Sequence, residues 1–301
     1  MKRSNLLLIG LLTVSILLAI SVYVITSRDN KSNNDLIDSY IKDTNYLNMI
    51  KSPYVDKQGN LIQKNANIPF NNYNKSLINN NIFTNTGVVK NLPILEYHCI
   101  EESNLCINPL FVSKGDFERQ ISDLKNEGYT PITIADFDNI KNIKKPIMIT
   151  FDDGYENNYT KAYPILKKYN FKATIFLISG RVGTPNHLNI DQINIMKGLI
   201  DFQAHTVTHP HLAQISAQQV EDELKNAKIQ LETLLNTSIS AMAYPYGNFD
   251  QQVIDVARKY YQYAFAGDQG IIYNSKDTDY EIKRIFIFPT IDIARILSLF
   301  N

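Results

Sequence analysis

The chain has 301 residues, and its 30 lysine and arginine residues balance its 30 aspartate and glutamate residues, so the formal net charge is zero. A neutral chain lacks the broad basic surface that recruits nucleic acid or anionic lipid headgroups, and we therefore expect no nucleic-acid partner. The hydrophobic fraction of 44% is ordinary for a globular protein, and the length allows one large domain plus an appendage.

The N-terminal segment is apolar and follows a short basic stretch. Its run from Leu6 to Thr26 is interrupted only by single glycine, serine and threonine residues. About 20 apolar residues span a bilayer, and flanking positive charges favour an N-terminus inside the cell. Residues 1–26 are therefore predicted to be a signal anchor that crosses the cell membrane once and leaves the rest of the chain extracytoplasmic. The alternative is a signal peptide cleaved near Ala19-Ile20-Ser21, which would give a secreted protein.

Residues 27–91 are polar and dense in asparagine, as in Asn79-Asn80-Asn81. Such a composition has few side chains to bury and predicts a stalk between the membrane and a folded domain at residues 92–301. Cys99 and Cys106 are the only cysteines. Export to an oxidising compartment permits a disulfide between them, and two buried thiols are the alternative.

Residues 92–301 alternate between strand-like and helical patterns. Short apolar runs predict strands at residues 94–97, 147–151, 173–178, 200–203, 239–243, 263–266 and 285–288. Amphipathic helices are predicted through Phe117, Ile121 and Leu124, and through Val220, Leu224, Ala227, Leu231 and Leu234 after the capping pair Ser216 and Gln219. This alternation predicts an α/β domain with a mostly parallel sheet and helical crossovers.

The segment Thr150-Phe151-Asp152-Asp153-Gly154 places two adjacent carboxylates and a turn glycine at the end of a predicted strand. Neighbouring side chains on a strand point to opposite faces, but a residue that leaves the strand into a glycine turn can swing back. Asp152 and Asp153 can therefore converge. Two close carboxylates repel and raise the pKa of one of them unless a cation lies between, which favours a metal site. The alternative is an ordinary Asp-Asp-Gly turn.

The segment from His205 to His211 holds three of the five histidines. On a helical turn, a spacing of four residues places the imidazoles of His205 and His209 on one face, and neutral imidazole is a preferred ligand of zinc and similar ions. With one carboxylate, the pair predicts a three-ligand site that keeps a position for water or substrate. The alternative is a histidine-rich surface loop. His211, which follows Pro210, is expected to face solvent.

A third segment, Ala241-Met242-Ala243-Tyr244-Pro245-Tyr246-Gly247, ends another apolar run in a proline and glycine turn. The pattern predicts a strand followed by a loop. The aromatic rings of Tyr244 and Tyr246 either line a sugar-sized groove or simply pack in the core.

Together, these segments resemble the motifs of the polysaccharide deacetylase family, carbohydrate esterase family 4, also called the NodB homology domain. Residues 150–154 match its first motif, Thr-Phe-Asp-Asp-Gly, and residues 205–209 match its second, His-[Ser/Thr]-x-x-His. Residues 244–247 match its third, and the stretch 158–176 is similar to the family's first helix and next strand. The resemblance covers roughly residues 92–290.

The resemblance implies a distorted (β/α) barrel with its motifs at the C-terminal ends of the strands, where such folds place their sites. It implies that Asp153, His205 and His209 bind one divalent metal ion, with zinc expected and cobalt or another divalent ion possible in its place. Asp152 is then the general base for attack of water on an acetamide. The backbone N–H of Tyr246 is implied as the oxyanion donor, with Tyr244 and Pro245 in the same substrate groove.

One departure from the commonest family pattern concerns the general acid. No histidine follows His211, so the family's late acid motif is missing. The stretch Leu92 to His98 instead resembles the Tyr-His strand of a circularly permuted branch of the family, which implies His98 as the acid. A satisfied core histidine is the alternative.

A second departure concerns the residue that orients the base. The third motif lacks the arginine found there in many members, and Ala241 and Ala243 occupy that neighbourhood. Arg284 is the candidate replacement.

The implied function is the metal-dependent removal of acetyl groups from an N-acetylated cell-wall or surface polysaccharide. Peptidoglycan N-acetylglucosamine is the first expected substrate, and poly-N-acetylglucosamine is the second. Hydrolysis of O-acetyl esters is an alternative, because the same chemistry cleaves esters, and a catalytically silent carbohydrate-binding module is another. A metalloprotease is disfavoured, because Thr206 stands where the motif His-Glu-x-x-His requires glutamate.

Overall fold

The computed structural model describes residues 92–102, 110–267 and 279–287, together with the single positions 293 and 297. The predicted anchor and stalk lie outside these residues and stay predictions. Cys106 also lies outside them, so its pairing with Cys99, which is buried, stays a prediction. Within the described part of the chain, no helix is both long enough and apolar enough to cross a membrane.

The described part of the chain contains ten strands and five α-helices, with shorter 3-10 and π helices between them. The strands are β1 (Ile94–Tyr97), β2 (Cys99–Glu101), β3 (Phe111–Ser113), β4 (Thr130–Ile132), β5 (Pro146–Phe151), β6 (Ala173–Leu177), β7 (Ile200–Ala204), β8 (Ala241–Ala243), β9 (Tyr263–Phe265) and β10 (Ile285–Phe286). The helices are α1 (Lys114–Asn126), α2 (Tyr163–Tyr169), α3 (Ile190–Met196), α4 (Ala217–Leu235) and α5 (Gln251–Tyr260).

Eight of the described strands form one parallel sheet in the order β10-β1-β5-β6-β7-β8-β9, with β4 paired to the first half of β5. Strands β2 and β3 form a separate parallel pair. Helices cross over between successive parallel strands, as the alternating pattern predicts. The predicted parallel α/β class is therefore confirmed.

A short C-terminal segment forms one edge strand of this sheet, β10, and also pairs with the opposite edge strand, β9. Ile282 bridges to Phe265 of β9, and three residues later Ile285 pairs with Leu95 of β1. The sheet is therefore curved in the manner of a barrel, and all its parallel strands bring their C-terminal ends to the same side.

The core has two layers because successive side chains of a strand point to opposite faces. On β5, Ile147, Ile149 and Phe151 pack in the cluster that includes the helices, whereas Met148 belongs to a smaller inner cluster. Phe176 and Phe265 pack in the same inner cluster. This inner layer packs below the strand ends, where the ring of Phe176 lies 5.4 Å from the guanidinium of Arg284.

Two helices can be compared directly with their sequence patterns. The buried face of α1 contains the predicted Phe117, Ile121 and Leu124. On α4, the capping box of Ser216 and Gln219 is confirmed. The prediction for Leu234 is wrong, because 43% of it is exposed and Leu235, four residues after the buried Leu231, takes the core position.

The face of α4 generates a stability prediction. Leu224→Ala empties a fully buried position, and we expect a loss of about 2–5 kcal/mol in the free energy of unfolding. The matched control Leu234→Ala removes an exposed side chain of the same helix, and its effect should be within about 0.5 kcal/mol. Urea denaturation measures both values. Equal losses in the two variants would contradict the assigned helix face.

Candidate active site

The two aspartates of the first motif leave the end of β5 together. The backbone N–H of Asp152 still donates to the carbonyl of Tyr97 on β1, at 3.0 Å, and Asp153 and Gly154 then take positive φ angles of 70° and 71°. A Cβ at Gly154 would lie 2.6 Å from Leu177 Cδ2, so the turn requires glycine. Both carboxylates are consequently buried at the same strand end.

The histidines of the second motif converge in a different way from the predicted one. After β7 ends at Ala204, residues 205–209 form an irregular loop and not a helical turn. Thr206 and His209 have φ angles of 65° and 66°, an uncommon conformation for residues other than glycine and unusual for β-branched threonine. The imidazoles meet because of these two backbone reversals, so the helical explanation of the spacing is wrong.

Asp153, His205 and His209 form a cluster with the dimensions of a metal site. Asp153 Oδ1 lies 3.6 Å from Nε2 of His205 and 3.4 Å from Nε2 of His209. A tetrahedral zinc ion with bonds of about 2.0–2.2 Å separates its ligand atoms by about 3.3–3.6 Å. Asp153 Oδ1 is also buried and accepts no hydrogen bond from the described residues. The three side chains therefore fit one divalent ion.

The ring chemistry of the two histidines agrees with this fit. His205 Nδ1 lies 2.8 Å from the carbonyl of Ala243, so Nδ1–H donates there and leaves the lone pair of Nε2 facing Asp153. Burial lowers the pKa of His209 to about 3 despite the neighbouring charge of Asp153. Its ring is therefore neutral at physiological pH, which is the form that binds metals.

Arg284 holds Asp152 on the other side of the strand end. Two guanidinium nitrogens donate to the two carboxylate oxygens of Asp152, both at 2.7 Å, and Nε donates to the carbonyl of Ala266 at 3.1 Å. Burial by itself raises the pKa of Asp152, but the charge and hydrogen bonds of Arg284 outweigh it and bring that pKa below its usual value. Arg284 lies where a residue that orients Asp152 must lie.

Glu96 is a site residue that the sequence reasoning missed. It is buried on β1, with Oε2 3.5 Å from Arg284 Nε and Oε1 3.9 Å from His98 Nε2. The alternation of a strand places Glu96 and His98 on the same face, and this signal could have identified it. Glu96, His98 and Asp152 have ligand atoms within 4.8 Å of one another, but Arg284 already supplies a positive charge to both carboxylates.

His98 follows β1 and lies beside the predicted base. One of its ring nitrogens is within 4.8 Å of a carboxylate oxygen of Asp152, and its carbonyl accepts a 2.8 Å hydrogen bond from Asn158 Nδ2. Burial lowers the pKa of His98 below its usual value despite the nearby aspartates. The geometry places His98 beside Asp152, and its role as the acid stays a prediction.

The third motif contributes one residue to the site opening. Tyr246 has a φ of 58°, and its partly exposed ring contacts His209 with centroids 4.5 Å apart. The ring of Tyr246 also stacks on that of His211, with centroids 3.9 Å apart. His211 therefore packs on Tyr246 instead of simply facing solvent as expected.

The groove predictions for Tyr244 and Pro245 are not supported. Tyr244 is fully buried, donates its hydroxyl to the carbonyl of Tyr280 at 3.1 Å and stacks on Phe249. Pro245 is buried as well. The partly exposed residues of the motif are the next two, Tyr246 and Gly247.

Comparisons with known proteins agree with this fold and site. A family model described as polysaccharide deacetylase matches residues 139–264. The protein YxkH of Bacillus subtilis, whose name assigns it to the polysaccharide deacetylases, is 34% identical over 206 residues, which are 66% of this chain and 72% of that protein. The poly-beta-1,6-N-acetyl-D-glucosamine N-deacetylase of Staphylococcus aureus is 30% identical over 225 residues, covering 64% of this chain and 77% of that one.

Solved structures give the same result. A polysaccharide deacetylase from Bacillus cereus is 34% identical, with a TM-score of 0.64, and the match covers 70% of this chain and 69% of that one. A Streptococcus pyogenes deacetylase solved in complex with acetate is 30% identical, with a TM-score of 0.63 over 70% of this chain and 98% of that one. The parallel α/β fold and its strand-end site thus define a hydrolase of the carbohydrate esterase type. The chain belongs to the polysaccharide deacetylase family.

The buried pair of Arg284 and Asp152 generates a prediction about stability and pH. Arg284→Gln leaves Asp152 and Glu96 buried without the guanidinium, and we expect a loss of about 3–5 kcal/mol in the free energy of unfolding at pH 7. The low pKa of Asp152 in the folded protein contributes stability above the ordinary aspartate pKa of about 4. This contribution is lost as the pH falls below about 4, so the loss caused by Arg284→Gln should be largest near pH 7 and should shrink below about pH 4.

Urea denaturation at several pH values measures this loss. The control Arg119→Gln removes an exposed arginine that pairs with Asp116 on α1, and its effect should stay below about 1 kcal/mol at every pH. A loss for Arg284→Gln that is small at pH 7, or that does not depend on pH, would contradict the role given to the pair.

Proposed function

We propose that this protein is a metal-dependent deacetylase that hydrolyses acetamide groups of an N-acetylated polysaccharide outside the cytoplasm. The observation that carries the proposal is the juxtaposition of two carboxylates in different states. Asp153 faces a ring nitrogen of His205 and one of His209 at 3.4–3.6 Å, and Asp152 beside it is held by Arg284. Such a division separates a ligand from a base on adjacent residues.

The proposed metal ligands are Asp153, His205 and His209. A divalent ion held there supplies Lewis-acid chemistry, which polarises a carbonyl group and makes water more acidic. Three protein ligands leave coordination positions for water and substrate, as in other catalytic metal sites. The donor set suits zinc, and cobalt or another divalent ion could also occupy it.

Asp152 and His98 are the proposed proton-transfer groups. Asp152 takes a proton from the attacking water, and Arg284 keeps its carboxylate ionised and in one orientation. The oxygen of that water becomes bonded to the acetyl carbon, and the carbon–nitrogen bond of the acetamide breaks. His98 in its protonated form then delivers a proton to the departing nitrogen, so acetate and an amine are released, and the proton held by Asp152 restores the protonated form of His98. The backbone N–H of Tyr246 is the proposed donor to the developing oxyanion.

The substrate proposal draws on the relatives. The Staphylococcus aureus relative is named for poly-beta-1,6-N-acetyl-D-glucosamine, which favours a glucosamine polymer of that kind as the first substrate to test. Peptidoglycan N-acetylglucosamine, the first expectation from sequence, becomes the second. The predicted signal anchor at residues 1–26 would hold the enzyme at the cell membrane, close to either polymer.

Acetate release is the primary test of the proposal. With zinc present, we expect the purified full-length chain to release acetate from poly-N-acetylglucosamine oligomers or from peptidoglycan, and we expect a chelator to stop the reaction. Asp152→Asn should reduce the rate at least about 100-fold, because it removes the proton acceptor. The control Asp255→Asn changes an exposed aspartate on α5 and should leave the rate unchanged.

Three results would overturn the proposal. Release that persists with chelator or in Asp152→Asn would exclude the proposed mechanism. Stoichiometric zinc with no release from either polymer would favour a silent carbohydrate-binding module, and release only from O-acetylated polymers would favour an esterase.

A separate test concerns the acid. His98→Ala should lower the rate of acetamide hydrolysis about 100-fold or more, because an amine leaves poorly without a proton. The same variant should lose much less activity on 4-nitrophenyl acetate, whose leaving group needs no protonation, and its zinc content should be unchanged. An acetamide rate within a few-fold of the unsubstituted protein would show that His98 is not the acid.

A further inference from the structure

The loop of residues 205–209 carries two proposed metal ligands on a backbone that is costly to hold. Thr206 and His209 both have positive φ angles, and such strained residues persist only where the surrounding structure imposes the conformation. Within the loop, the N–H of His205 still donates to the carbonyl of Leu177 on β6, at 2.8 Å, whereas residues 206–209 lie beyond the strand pairing of β7. Side chains from elsewhere must therefore bind this backbone.

Glu223, on the second turn of α4, supplies most of that binding. Its Oε2 accepts from the backbone N–H of Val207 at 2.8 Å and from that of Thr208 at 2.9 Å. Its Oε1 accepts from the hydroxyl of Thr208 at 2.6 Å. Three hydrogen bonds to one carboxylate are charge-assisted and fix the loop in both position and orientation.

The opposite side of the same loop is also fixed. Thr206 and Val207 accept hydrogen bonds through their carbonyls from the backbone N–H groups of Ser179 and Gly180, at 3.0 and 3.1 Å. A Cβ at Gly180 would lie 2.6 Å from the carbonyl oxygen of Val207, so the close approach requires glycine. Within the loop, the N–H of His209 donates to Thr206 Oγ1 at 3.0 Å. The loop is thus held on one side by the carboxylate of Glu223 and on the other by the backbone N–H groups of Ser179 and Gly180.

We propose that Glu223 is a positioning residue for the metal site, which holds His205 and His209 in place before the ion binds. The described hydrogen bonds of Glu223 reach Val207 and Thr208 and none of the three proposed metal ligands, so it acts through the loop. Without it, the loop would sample other backbone conformations, and the ion would have to order the loop when it binds. The inference rests on the metal site of the proposed function.

The experiment measures metal binding by the full-length chain and does not depend on turnover. Competition with a chromophoric chelator gives the zinc dissociation constant, and the visible spectrum of the cobalt-loaded protein reports the geometry of the ligands. Glu223→Ala should raise the zinc dissociation constant about 10- to 100-fold and change the cobalt spectrum. Glu223→Gln has the same shape and can still accept from both N–H groups and donate to Thr208, so it should stay within about threefold of the unsubstituted protein.

The matched control is Glu221→Ala on the same helix. Glu221 bonds to Tyr260 and Lys259 and makes none of the described contacts to the loop, so its removal should leave zinc binding and the cobalt spectrum unchanged. If Glu223→Ala lowers the thermal midpoint too far for study, Thr208→Val removes one of the three hydrogen bonds and should weaken zinc binding in the same direction.

The outcomes separate this inference from the proposed function. If the unsubstituted chain binds zinc and Glu223→Ala binds it equally, with the same cobalt spectrum, the positioning role is wrong and the metal site stands. If Glu221→Ala weakens binding as much as Glu223→Ala does, the effect belongs to the helix as a whole and the inference also fails. The metal site itself is wrong if the unsubstituted chain binds no zinc. It is also wrong if Asp153→Ala binds zinc as tightly as the unsubstituted chain does.

Discussion

The arrangement of the site depends on the buried guanidinium of Arg284. A charged side chain that is 1% exposed is stable only when its donors are matched by acceptors of the right geometry. Here the acceptors are Asp152 after β5, Thr150 on β5, the carbonyl of Ala266 after β9 and, at a longer distance, Glu96 on β1. One side chain therefore connects the strand that carries the aspartates with its neighbour β1 and with the far edge strand β9.

This pair also explains why two adjacent aspartates can have different chemistry. Arg284 satisfies both oxygens of Asp152, so that carboxylate has no need of a metal to remain ionised. The positive φ at Asp153 turns the next carboxylate away from the arginine and towards His205 and His209. The repulsion expected between neighbouring carboxylates is thus relieved by two cations in two places, the guanidinium and the proposed metal ion. Loss of the guanidinium would therefore affect Asp153 as well as Asp152, and loss of the proposed metal ion would affect Asp152 as well as Asp153.

The sequence predicted the parts of the site that depend on local pattern. The apolar runs that end in Asp152-Asp153-Gly154 and before His205 are β5 and β7, which have only β6 between them. Their ends lie close together because parallel strands present their C-terminal ends on one side. The backbone of the histidine loop could not be predicted, because the positive φ of Thr206 depends on Glu223 and Gly180, which are distant in the chain. The sequence left Tyr244 open between a groove and the core for a related reason, since its burial is decided by contacts with Tyr280 and Phe249.

The strand order accounts for the unusual positions of His98 and Arg284 in the chain. In the commonest family pattern the acid histidine belongs to a late motif, whereas here the candidate follows the first strand of the sheet. Strands β10 and β1 are neighbours, with Leu95 paired to Ile285, so groups that follow either strand are only about 5 Å apart in the direction of the sheet. Arg284, one residue before β10, can likewise replace an arginine from the third motif because its long side chain reaches the end of β5. In a curved parallel sheet, position around the strand ends constrains a catalytic group more strongly than position in the sequence does.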